Sequence, residues 1–149
     1  MCDFSLHAVR SRPAAVGDKL TTRLFYLGTT GFCAPEDERM AVCLLPGTEL
    51  SFEEEVRQWT RWPWKDRVIS YRTAIFRQIN MKVKATHHDA LEFPNGKIVL
   101  LTTLEEGLPA TVLQLPTSAD AAKALQQRLT SSAVAGNAEH RQPNRFLLN

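Results

Sequence analysis

A chain of 149 residues with 44% apolar and 23% charged side chains has the size and balance of one globular domain around one core. No apolar run approaches the ~20 residues of a membrane-spanning helix, and eighteen Lys and Arg against sixteen Asp and Glu leave a formal charge of +2, which argues against wrapping nucleic acid because that needs many clustered cations. Three cysteines, Cys2, Cys33 and Cys43, without a Cys-x-x-Cys pair, argue against a disulfide framework or a zinc ribbon and for reduced thiols. With no basic segment and apolar run after Met1, the expected location is the cytoplasm, with no membrane partner.

Residues 2–9 alternate, with Cys2, Phe4, Leu6 and Ala8 apolar and Asp3, Ser5 and His7 polar, the pattern of a half-buried strand that turns Cys2 to the core. Ser11-Arg12-Pro13 and Gly17-Asp18 read as turns, and LTTRLFYL (20–27) as a second strand. GTTGFCAPEDE (28–38) has loop chemistry, and MAVCLL (40–45) is a short apolar strand in which Cys43, like Cys33, is structural. Ser51 and Glu54 form a capping-box pattern, and Phe52, Val56 and Trp59 recur at helical spacing, so residues 51–61 are predicted as a short helix ended by Pro63. A long strand follows over 69–79.

Asn95-Gly96 suits a two-residue type I′ turn, which predicts a hairpin pairing Phe93 with Ile98, Leu91 with Leu100, Asp89 with Thr102 and His87 with Leu104 on one face. TVLQL (111–115) is one more strand, and residues 117–131 carry a cap and a helical apolar face. A short echo joins Val42-x-x-Leu45-Pro46 to Val112-x-x-Leu115-Pro116. The predicted fold class is mainly β (α+β): a small partly open β-barrel or roll of about six strands, with one short helix and a C-terminal helix. A flat two-layer α+β sheet is the alternative. Residues 1–131 would form the domain and 132–149 a flexible tail.

On the predicted hairpin face an apolar wall of Leu91, Phe93, Ile98 and Leu100 ends in His87, Asp89 and Thr102, the composition of a small-ligand site. Imidazole, carboxylate and the Cys2 thiolate together would suit a transition metal such as zinc, iron or copper, with His7 and His88 as further ligands. Against this, adjacent histidines without a spaced H-x-H or H-E-x-x-H motif are also ordinary loop residues, and a lone cysteine is often simply buried. A second, non-enzymatic class of function rests on RQWTRWPWKDR (57–67), where Arg61, Trp62, Trp64, Lys65 and Arg67 could stack on nucleic-acid bases or anchor a protein partner. Against that reading, Trp59 would sit on the buried face of the predicted helix and wedge it against a sheet.

Cys2 also offers a nucleophile if Met1 is removed, since thiol and amine would then share one residue. In these two residues the chain is similar to glutamine amidotransferases with a terminal cysteine nucleophile, although Asp3 stands where those chains carry glycine. The opening MCDFSLH, with PGTEL and HHDALEFPNG, resembles a group of short uncharacterised bacterial proteins over most of residues 1–116, a resemblance that implies no activity.

Overall fold

The computed structural model describes residues 9–59, 68–83 and 86–118. The predicted first strand, the C-terminal helix beyond residue 118 and the tail lie outside them. The described residues form eleven strands: β1 (Ser11–Pro13), β2 (Lys19–Leu24), β3 (Thr30–Ala34), β4 (Asp37–Cys43), β5 (Glu49–Phe52), β6 (Val56–Arg57), β7 (Val68–Ile69), β8 (Thr73–Gln78), β9 (Asp89–Glu92), β10 (Ile98–Leu100) and β11 (Pro109–Gln114). The mainly β class is therefore observed. Nine strands make one mixed sheet in the order β1-β4-β3-β2-β11-β5-β8-β9-β10, and β6 and β7 pair separately. All pairs are antiparallel except β1 with β4. The large sheet is open, with β1 and β10 at its edges, and is not a closed barrel.

The sheet is strongly curled. Phe32 of β3 and Val42 of β4 meet Phe76 of β8, Asp89 of β9 and Leu101 around one small internal void, although β4 and β9 lie six places apart in the sheet. Along each strand alternate residues enter this core: Leu20 and Thr22, Leu50 and Phe52, Ala74 and Phe76, Ala110 and Val112 are all buried.

Four glycines create the curl. Gly17, Gly47, Gly96 and Gly107 have φ of 86°, 97°, 77° and 87°. Their N–H groups donate to the carbonyls of Val112, Phe76, Phe93 and Thr22, respectively, and each of those residues returns its own N–H to the carbonyl of the residue after the glycine. Two residues then oppose one, which is a glycine bulge; it bends the strand and increases its twist. Thr22 reinforces one such junction from inside, its Oγ1 donating to Glu105 O at 2.7 Å and accepting Leu108 N–H at 2.9 Å.

The helix predicted over 51–61 is absent among the described residues. Ser51 and Phe52 end β5, where Ser51 pairs with both Thr111 and Thr73, and Val56 starts β6. Ladder hydrogen bonds on both sides of β5 and burial of Leu50 and Phe52 outweigh a capping pattern that depends on no tertiary partner. The predicted loop 28–38 contains β3, whose five residues TGFCA are all buried between β2 and β4. Ser11-Arg12-Pro13 is an edge strand rather than a turn, a place where proline is tolerated. The predicted strand 69–79 is two strands, β7 and β8, which belong to different sheets.

Two outcomes test this description. Gly47→Ala and Gly107→Ala should each cost about 1–2 kcal/mol for the left-handed backbone. Gly47→Ala should cost more, because its new Cβ would lie 3.1 Å from Pro116 Cβ whereas Gly107 has open space. Equal urea midpoints for Gly47→Ala and wild type would contradict the bulge. Second, Asp18 Oδ2 accepts from Arg12 Nη1 at 2.6 Å and from Ala15 N–H at 2.9 Å. The Arg12 hydrogen bond holds this carboxyl below its ordinary value, against the opposing effect of burial. The stability it contributes is present above the unfolded value of about 3.9 and is lost as pH falls through the lower folded value. Asp18→Asn should therefore lower stability at neutral pH, and the difference from wild type should vanish at the acid end of a urea titration series.

Candidate functional site

The β9–β10 hairpin decides which side chains share a face, and its register differs by one residue from the type I′ expectation. Ile98 pairs with Glu92, Val99 with Leu91 and Leu100 with Ala90. Phe93 and Gly96 close the turn, with Phe93 N–H on Lys97 O at 2.9 Å and Gly96 N–H on Phe93 O at 2.8 Å. A type I′ turn needs positive φ at both Asn95 and Gly96, and only Gly96 has it. Pro94 is the cause: its fixed φ suits the second position of a type I turn, which places Asn95 third and Gly96 fourth, at the bulge. Asn95 Oδ1 accepts Lys97 N–H at 3.0 Å and completes the turn.

A slip of one residue exchanges the faces. Asp89, Leu91, Phe93, Val99 and Leu101 are buried together, while Glu92 and Ile98 stand on the outer side. Asp89 pairs with Gln78 across β8, not with Thr102, which lies in a 3-10 turn over Leu101–Thr103. Its Oδ1 accepts Gln78 Nε2–H at 2.8 Å. Among the described residues, the void that Asp89 borders measures about 10 Å³, the size of one water at most. The predicted pairing of Asp89 with Thr102 is replaced by its pairing with Gln78.

His87 and His88 are half-buried at the entry to β9. His88 Nδ1 lies 3.0 Å from Ile79 O. A carbonyl only accepts, so this nitrogen carries a proton and donates it to Ile79 O. Among the described residues no group of three or more His, Cys, Asp or Glu is placed to hold a metal ion. Cys2 and His7 lie outside the described residues, as do Arg61, Trp62, Trp64, Lys65 and Arg67 of the predicted interaction surface. Trp59, expected on a buried helical face, is extended and 65% exposed, and its N–H donates to Thr103 O at 2.7 Å.

The cysteines differ from the expectation of three reduced thiols. Cys43, at the end of β4, is disulfide-bonded. Cys33 is a free, buried thiol whose pKa burial pushes up, with the charge of Glu38 adding to the effect. A raised pKa keeps it protonated and unreactive.

The cavity with ligand dimensions is on the other side of the same strands. A groove of about 500 Å³ runs over β5, β8 and β9, lined by Glu49, Thr73, Ile75, Glu92, Pro94 and Leu113 among others. Glu49, Ile75 and Glu92 form one cross-strand row, since Ile75 pairs with Glu49 on one side and with Glu92 on the other. Ile75 is the floor between two carboxylates. Glu92 Oε2 accepts Arg77 Nε–H at 2.6 Å, while Glu49 has no ion pair among the described residues. Leu113, 47% exposed, stands beside Glu49 where a register shift between Val112 and Gln114 interrupts the β11–β5 ladder.

Sequence reading missed these residues. The polar-apolar alternation of Glu49-Leu50-Ser51-Phe52 was the available signal for a strand with Glu49 outward, and the alternation of Leu91-Glu92-Phe93 was the signal that sets Glu92 on the face opposite its apolar neighbours. No protein-family model, curated protein or solved structure matches the chain.

A thiol assay checks the cysteine assignment. Unfolded, unreduced protein treated with iodoacetamide should be alkylated at Cys33 and not at Cys43. Labelling of Cys43 without reductant would overturn it.

Proposed function

We propose that the protein is a small-ligand-binding β domain whose site is the groove over β5, β8 and β9. The observation that carries this reading is the groove's size. At about 500 Å³ it falls within the roughly 300–1,000 Å³ of small-molecule sites, whereas the void beside Asp89 holds no more than a water. Its lining has the composition such sites need: apolar surface from Ile75, Pro94 and Leu113, and a few polar groups from Glu49, Glu92 and Thr73.

The architecture supports the same reading. A partly open roll fills its interior with Leu50, Phe76, Leu91 and their neighbours, which leaves the outer face to bind. Strands β5, β8 and β9 are interior members of the sheet, each paired on both sides, so the groove floor is held by backbone hydrogen bonds rather than by a loop. This rigidity lowers the ordering cost of binding.

Two-dimensional NMR with fragment-sized amines, alcohols and carboxylates is the test. Shifts should cluster on Thr73, Ile75 and Glu92 and spare Asp89, and Ile75→Arg should remove them. Stoichiometric zinc should leave Asp89, His87 and His88 unshifted. Shifts confined to those three residues on adding zinc, with none in the groove, would replace this reading with the metal site.

A further inference from the structure

We propose that the groove selects organic cations, with a primary ammonium or guanidinium held between Glu49 and Glu92 and an apolar body lying on Ile75 and Leu113. This rests on the groove being the binding site and names the chemistry that it selects. Glu49 and Glu92 occupy the same row on two strands separated only by β8. Neighbouring strands are about 4.8 Å apart, so the two residues stand roughly 10 Å apart at the backbone on either side of Ile75, a span that one organic cation with its apolar body can bridge.

The charge balance favours a cation. Among the described residues Arg77 is the one cation paired to either glutamate, and it engages a single oxygen of Glu92. Glu49 has no ion pair among the described residues, so the groove keeps a net negative charge that an incoming cation would match. The same two carboxylates oppose an anionic ligand, because like charges brought together repel. A fully hydrated metal ion would leave the apolar floor uncovered, whereas an amine on a hydrocarbon body covers Ile75, Leu113 and Pro94 as its head meets the carboxylates. The Glu49 side belongs to β5 and the Glu92 side to β9, so selectivity requires the β5–β8 and β8–β9 registers that set both beside Ile75.

The test compares three probes of one shape: 2-phenylethylamine, 2-phenylethanol and 3-phenylpropionate, titrated into the full chain and followed by NMR shifts of the Ile75 methyl groups. The amine should bind at least about tenfold more tightly than the alcohol, a difference equivalent to one charge-assisted hydrogen bond. The carboxylate should bind weakest. Glu49→Gln should reduce the amine's affinity by roughly tenfold and leave the alcohol's unchanged. Glu53→Gln, just past the opposite end of β5 and outside the groove lining, should leave both unchanged. Equal binding of amine and alcohol at Ile75, unaffected by Glu49→Gln, would overturn the cation selectivity while keeping the groove as the site. Failure of all three probes to shift Ile75 would overturn both.

Discussion

The reciprocal backbone hydrogen bonds at four glycine bulges govern the course of the strands that carry every feature described above. Three of these glycines precede β2, β5 and β11, and the fourth closes the β9–β10 turn. At each, one partner-strand residue serves two consecutive residues, so the strand must bend there while its N–H and C=O groups stay paired. Bending without loss of hydrogen bonds is what allows a nine-stranded sheet to fold over its own core. Thr22 and Thr48, both buried, place their hydroxyls on the carbonyls of Glu105 and Leu45 beside these bends, so the polar groups exposed by the turns are satisfied from within.

That constraint was only half visible in the sequence. Gly17-Asp18, Pro46-Gly47 and Gly107-Leu108 are recognisable as breaks, and the strands that follow them alternate in the expected way. Positive φ and pairing two against one, however, are properties of the glycine together with a partner strand as much as ninety-five residues away, as for Gly17 and Val112. Local pattern cannot supply the partner. The same limit explains the segment 51–61, where a capping box and helical spacing are real local preferences, overridden by β11 and β8 on either side of β5. It also explains TGFCA, whose small residues look like loop and are instead a buried strand between two others.

The hairpin was legible to within one residue, and that residue decided the site. Asn95-Gly96 correctly signals a turn, but Pro94 moves the two positions along by one, from a type I′ loop to a type I turn ending in a bulge. Because strand side chains alternate with period two, Ile98 and Leu100 left the face of Asp89, Leu91 and Phe93, and Val99 and Leu101 took their place. Asp89 is an interior residue bonded to Gln78, and Glu92, on the other face of β9, is a wall of the groove.

Strands β5 and β9 thus present carboxylates in two environments, and the difference in solvation separates structural from binding roles. Asp89 is 6% exposed, and its carboxylate accepts from a Gln78 side chain on the neighbouring strand. A carboxyl group in such a place must find its partners within the fold, because removal from water without them is strongly unfavourable. Its Oδ1 is bonded to Gln78 of β8. Glu49 and Glu92 remain in contact with water, have Arg77 as their ion-pair partner among the described residues, and flank an apolar residue that water covers poorly. Displacing that water with hydrocarbon while replacing the carboxylates' hydration with a cationic head satisfies both halves of the groove at once, a combination that the closed interior around Asp89 has no room to offer.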